Sequence, residues 1–164
     1  MINIYTDGAC KDNNRNDGIA EGKGGWAFIV LESDPGYDMK ITREGSGFVD
    51  GTTNQEMEIV AVCEAFESLN SFPDAINLYS DSAYVINCLK DRWYDKWNNN
   101  GWLNSKNSAV ENRESWERLI RLVNLYNVNF FHVKRNTTKF IRLVDSMAKE
   151  ASRRETSVID TIQQ

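Results

Sequence analysis

Four carboxylates in this 164-residue chain, Asp7, Glu58, Asp81 and Asp145, have the types and spacing to hold divalent metal ions. Two of them close matching segments. Ile2-Asn3-Ile4-Tyr5-Thr6-Asp7 and Ile76-Asn77-Leu78-Tyr79-Ser80-Asp81 share the pattern Ile-Asn-aliphatic-Tyr-hydroxyl-Asp. Side chains alternate along a strand, so Tyr5 and Asp7 fall on one face, as do Tyr79 and Asp81. Laid side by side, the two strands would make Asp7 and Asp81 neighbours at one sheet edge; read singly, each Asp ends a strand as a cap or turn residue. Glu58 stands out on a helical wheel of residues 55–70. With Glu56 at zero, it falls at roughly 200°, among Val62, Ala65, Phe66 and Leu69. The helix dipole offers an anion there only about 0.3–1 kcal/mol, too little to offset burial of a charge. Asp145 borders the apolar stripe Phe140, Leu143, Val144, Met147, Ala148 and Ala151, with Arg142, Lys149 and Arg153 opposite. Four carboxylates in one place need divalent cations to stay ionised, and an all-oxygen set selects Mg²⁺ or Mn²⁺ over zinc. Such a site suits two-metal phosphoryl hydrolysis, with one ion activating water and the other stabilising the leaving oxygen.

The elements that must position these groups are legible in outline. Nine of the ten glycines lie within residues 1–51. That stretch reads as three successive strands, 2–9, 24–31 and 39–49, with a loop over 10–23 and a turn at Asp34-Pro35-Gly36. A helix is expected over 55–70, closed by Pro73, then a strand over 76–80 and a helix over 82–89. Residues 93–107, rich in Trp and Asn, read as irregular. A helix over 109–126, a strand over 128–134 and a helix over 139–154 complete the pattern. The order predicts one α/β domain over residues 1–154: a mixed five-stranded sheet, its first three strands antiparallel and the rest parallel, with helices on both faces. Residues 155–164 read as a flexible tail.

Composition limits the function classes. With 41% hydrophobic and 26% charged residues the chain has globular proportions, and no apolar run reaches the roughly 18 residues of a membrane helix. The N-terminal segment lacks the apolar stretch of a signal peptide, and three cysteines suggest neither a disulfide framework nor a Cys-based zinc site. The expectation is a monomer in the cytoplasm. The formal net charge of −5 hides an asymmetry: residues 1–89 carry −10 and residues 90–154 carry +7. Such a divide suits a polyanionic partner, or solvated faces paired with one another.

Five blocks in order carry a resemblance. Tyr5-Thr6-Asp7-Gly8-Ala9-Cys10, Thr52-Thr53-Asn54-Gln55-Glu56-Met57-Glu58 and Tyr79-Ser80-Asp81-Ser82-Ala83-Tyr84-Val85 resemble the signature blocks of type 1 ribonuclease H. Trp93 through Trp102 resembles the protrusion, or basic handle, of longer members. Asp145-Ser146-Met147-Ala148 resembles the closing Asp-x-Leu-Ala block. The resemblance spans about residues 1–152 and implies the ribonuclease H-like fold. It also implies a metal-dependent endonuclease that cuts the RNA strand of RNA–DNA hybrids, leaving 5′-phosphate and 3′-hydroxyl ends. Asp7 would bridge two Mg²⁺ ions, Glu58 and Asp81 would hold one, and Asp145 would share the other. Asn13 and Thr53 would contact phosphates, Asn54 and Gln55 the RNA minor groove, and Ser82 belongs to the third block. Trp93 and Trp97 match aromatic positions of the DNA-strand channel, or pack the protrusion onto the helix over 109–126.

Two departures bear on activity. The loop slot where the family usually carries a His is Asn136; the sole histidine, His132, lies in the preceding strand, where a structural role is expected. The handle reads Trp97-Asn98-Asn99-Asn100-Gly101-Trp102 in place of a Lys/Arg cluster, leaving Lys90, Arg92, Lys96 and Lys106 nearby. A catalytically weak hybrid-binding module is the rival from another class. Another nuclease or strand-transfer enzyme is the rival within the fold, and the Thr52-Thr53-Asn54-Gln55 block argues against it.

Overall fold

The computed structural model describes residues 1–33, 36, 38–154 and the backbone of 158–161. In chain order the elements are β1 (Ile2–Lys11), β2 (Arg15–Asn16), β3 (Ile19–Ala20), β4 (Gly22–Glu32), β5 (Lys40–Thr52), α1 (Asn54–Glu67), β6 (Ile76–Ser80), α2 (Ala83–Lys90), α3 (Trp93–Asn100), α4 (Arg113–Val123), β7 (Val128–His132), α5 (Lys139–Arg154) and β8 (Val158–Thr161). The main sheet runs β7-β6-β1-β4-β5-β8. β1 pairs antiparallel with β4 and β4 with β5, while β1 pairs parallel with β6 and β6 with β7.

All five expected strands are present, in the expected orientations. The tail reading fails at 158–161, where a sixth strand pairs antiparallel with β5, Ser46 opposite Val158. A four-residue strand alternating little in polarity carries too weak a pattern to be read alone. Residues 155–157 and 162–164 lie outside the described residues, as do Asp34 and Pro35 of the expected turn. Residues 93–107 are not irregular throughout. Arg92, in the left-handed region at φ 52°, starts α3, and Gly101 at φ 75° ends it with its N–H on the Trp97 carbonyl. The helix expected over 109–126 is shorter. Ala109 bridges Leu103, and Asn112 at φ 62° keeps the chain from turning helical before Arg113. The cap residues fit their helices: Thr53 Oγ1 accepts from the Glu56 N–H, and Ser82 Oγ from the Val85 N–H.

The strands bury both faces of the sheet's centre. Ile4, Phe28, Phe66, Leu78, Ile86, Trp116 and Leu119 form the larger core beneath α1, α2 and α4. On the other face, Ala27, Ile29 and Leu31 of β4 meet Val144 and Ala148 of α5. Each large side chain buried here contributes about 1.5–3 kcal/mol. Arg118 of α4 ties down α1 through Glu67 (2.7 Å) and Glu64 (3.0 Å). Two glycines let the helices come close enough to serve the site. A Cβ on Gly25 would lie 2.1 Å from the Ala148 carbonyl oxygen, and one on Gly8 would lie 2.5 Å from the Glu58 nitrogen.

Candidate active site

The parallel pairing of β1 and β6 sets Tyr5 opposite Tyr79 and Thr6 opposite Ser80. Asp7 and Asp81 follow these pairs directly, at the same end of adjacent strands. Glu58 enters from α1, pressed against β1 at Gly8. Carboxylate oxygens of Asp7, Glu58 and Asp81 lie within 4.8 Å of one another, and together they could hold a metal ion. Asp7 is 3% exposed and Glu58 7%, so neither charge is solvated. Glu58 Oε2 is buried with no hydrogen-bond partner. A carboxylate with one buried, unpartnered oxygen, clustered with two further carboxylates, is what a hard cation would relieve.

The electrostatics express the same crowding. Burial, then Asp81 and Asp145, pushes the Asp7 carboxyl up to about 8, against the pull of the Gly8 N–H that donates to its Oδ1 at 2.9 Å. Burial, then Asp7 and Asp81, holds Glu58 well above the ordinary range. Asp145 lies beside Asp7 and outside the group of three. Burial raises it, but Lys149, the hydrogen bond from Asp7, and Arg135 outweigh burial and hold it below its ordinary value. Lys149 Nζ stands 2.9 Å from its Oδ2 and an Arg135 amino group 3.7 Å from Oδ1.

The expected substrate contacts divide by surroundings. The Asn54 N–H donates to Asn13 Oδ1 at 2.9 Å, so these two form one unit, and Asn54 borders a basic recess lined by Lys11, Arg135, Lys149 and Arg153. Gln55 opens onto a separate groove with Tyr84, Trp93, Lys96, Trp97 and Asn100. Thr53 and Ser82 spend their hydroxyls on helix caps. Trp97, 8% exposed, packs on Trp102 and Trp116 with ring centroids 5.3 and 5.7 Å away, so most of the ring belongs to the core. Asn136, at φ 62° in an exposed loop, is not among the clustered acids; its carbonyl accepts from Arg142 at 3.2 Å. His132 donates from Nε2 to the Asp81 carbonyl at 3.2 Å, a structural contact at the edge of the site.

Sequence reasoning missed Lys149 and Arg135. Lys149 reads from the sequence only as part of the face opposite the apolar stripe, yet it stands four residues after Asp145, a spacing that pairs acid and base along a helix. Arg135 carried no comparable signal.

The family model described as RNase H matches residues 1–153. The chain belongs to the ribonuclease H family. Among curated relatives, the ribonuclease H of Thermoanaerobacter sp. (strain X514) is 39% identical over 157 residues, covering 95% of this chain and 92% of its own. That of Prosthecochloris aestuarii is 36% identical over 151 residues, covering 92% and 94%. Of solved structures, LC9-RNase H1, described as a type 1 RNase H with the type 2 active-site motif, superposes with a TM-score of 0.83 at 24% identity, covering 98% of this chain and 77% of that one. LC11-RNase H1 in complex with an RNA/DNA hybrid gives 0.67 at 20% identity, covering 93% of this chain and 97% of that one. At these identities the structures speak for the fold, and the curated relatives and the family model for membership.

Proposed function

We propose that this chain is an endoribonuclease that hydrolyses the RNA strand of RNA–DNA hybrids with two divalent cations, Mg²⁺ or in its place Mn²⁺. The observation that carries the reading is the convergence of carboxylate oxygens of Asp7, Glu58 and Asp81, with one oxygen of Glu58 buried and unpartnered. Asp7, Glu58 and Asp81 would hold the ions and Asp145 would share one; bound there, the ions would lower the pKa of an attacking water and offset charge on the leaving oxygen. The chain's own residues do the positioning. The Gly8 N–H fixes one oxygen of Asp7, and Lys149 and Arg135 keep Asp145 ionised. Asn13, Asn54 and Gln55 would present polar groups to the hybrid on either side of α1's first turn, with Trp93 and an edge of Trp97 in the adjoining groove. Thr53 and Ser82 would contribute chiefly by holding their helix starts in place, and Asn136 by its exposed loop position.

Residues 1–154 would act as one catalytic domain, working as a monomer in the cytoplasm. No helix among the described residues is long and apolar enough to cross a membrane, and Cys10, Cys63 and Cys88 are free thiols. The test is cleavage of an end-labelled hybrid with Mg²⁺ or with EDTA. Mg²⁺-dependent cutting confined to the RNA strand is expected, leaving 3′-hydroxyl ends. Tight hybrid binding without cutting at any metal concentration would favour the binding-module rival.

A further inference from the structure

One face of β1, β6 and β7 carries two cross-strand rows that the carboxylate site does not use. Asn129, Asn77 and Asn3 are opposite one another in register, with Asn129 Nδ2 donating to Asn77 Oδ1 (3.1 Å) and Asn77 Nδ2 to Asn3 Oδ1 (3.0 Å). Two residues on, Phe131, Tyr79 and Tyr5 stack in a second row, with centroids 5.0 and 4.6 Å apart and planes within 18° and 11° of parallel. Phe140 of α5 closes the inner end against Tyr5 at 5.3 Å. The outer end stays open. β7 is the edge strand, and Phe131, 41% exposed, has a ring neighbour on its Tyr79 side only among the described residues.

We infer that this open end is a seat for an unpaired base of the RNA strand, at the point where that strand leaves the duplex beside the carboxylates; the inference rests on the hybrid-cleaving reading above. Phe131 offers a flat apolar face on which a base would extend the ring stack. Asn129, exposed and projecting from the same face, keeps its carboxamide oxygen and one N–H for a base edge. The surroundings suit a polyanion: Lys134 and Arg135 follow β7 directly and are exposed, and Lys139 Nζ lies 5.8 Å from the Phe140 ring at the other end of the row. Position selects the strand. Phe131 is in register with Tyr79, two residues before Asp81, which strand geometry puts at about 8 Å. The strand that crosses the carboxylates, the one being cut, is therefore the one that can reach Phe131.

The experiment compares a blunt hybrid with hybrids carrying an unpaired extension on the RNA strand (the RNA extension) or on the DNA strand (the DNA extension). Binding is read by fluorescence anisotropy in EDTA and cut position by sequencing gel in Mg²⁺. The RNA extension should tighten binding at least about fivefold, the low end for one stacked base, and should draw cuts toward the junction. Phe131→Ala should remove both effects and leave blunt-hybrid cutting unchanged. Asn129→Asp, an exposed change that keeps the ring row, should weaken the RNA extension's gain by repulsion. No gain from the extension in the wild-type protein, or an equal loss on the blunt hybrid in Phe131→Ala, would overturn the inference. So would an equal gain from an extension on the DNA strand, or sedimentation showing a dimer that Phe131→Ala dissolves. Binding in EDTA does not depend on cutting, so an extension effect without any cleavage would fault the nuclease reading alone.

Discussion

Asp7 on β1 and Asp145 on α5 share a hydrogen bond while their acidities move apart, Asp7 up to about 8 and Asp145 below its ordinary value. The difference is one of surroundings. Asp7 is buried among carboxylates, whereas Asp145 has Lys149 and Arg135 within reach. Without cations, Asp7 is the more readily protonated of the two.

Asp7→Asn should abolish Mg²⁺-dependent cleavage. In EDTA near neutral pH it should leave thermal stability unchanged or raise Tm by several degrees, since Asn is buried among the carboxylates uncharged, without the proton uptake that folding demands of Asp7. Activity on a labelled hybrid and thermal melts check the two halves. Retention of near wild-type cutting by both Asp7→Asn and Glu58→Gln would show that the chemistry lies elsewhere.

Metal-free stability should fall as pH rises. Asp7 is protonated in the fold up to about 8, against an ordinary value of 3.8. Its contribution is therefore fully present below about 4 and is lost as pH climbs through about 8. Glu58, also raised, acts in the same direction. Melts in EDTA across that window should show this decline superimposed on the rest of the protein's pH response, and saturating Mg²⁺ should reverse it by favouring the ionised forms. An EDTA Tm that the Asp7→Asn variant matches at every pH would contradict it.

Gly8→Ala should cost both stability and activity. The added Cβ would lie 2.5 Å from the Glu58 nitrogen and 2.6 Å from the Met57 carbonyl carbon, both backbone atoms of α1. Moving the helix away costs about 1–3 kcal/mol, the range for overpacking, and draws Glu58 off Asp7. Denaturant unfolding gives the first number and the Mg²⁺ concentration for half-maximal activity reports the second, which should rise.

The two departures from the family pattern should act on different parameters. Asn136→His restores a group that titrates near neutrality, and should raise kcat more than it changes KM, by up to the 10²–10⁴ of acid–base assistance. Asn98→Lys with Asn99→Lys should tighten hybrid binding and steepen its log–log salt dependence by about 0.9 per added phosphate contact. Asn100 should be left alone, because its amide brackets Leu103 through two 3.0 Å hydrogen bonds.

Much of this was readable from residues because the signals were strong and local. The duplicated Ile-Asn-aliphatic-Tyr-hydroxyl-Asp segments turned out to be in-register parallel partners, and a lone carboxylate at an apolar angle of the wheel turned out to be the buried Glu58. What escaped depended on tertiary geometry. Asn112 and Arg92 set helix limits by adopting left-handed backbone, which non-glycine types signal weakly. Val158–Thr161 is a strand because β5 offers an edge to pair with. Trp97 could be read as channel or core, and only the positions of Trp102 and Trp116 decide how much of it is core.

The four acids come from β1, α1, the end of β6 and α5, so the pocket is gathered from nearly the whole length of the polypeptide. During synthesis, Asp7 emerges long before Asp145. The parallel pairs β1–β6 and β6–β7 form only after long intervening segments have been made, the kind of non-local closure that slows folding. A ribosome-bound chain that stops before α5 presents three acids without Asp145 or Lys149. Such a nascent fragment is expected to be inert toward hybrids, so that nuclease activity appears only once α5 has been made and docked.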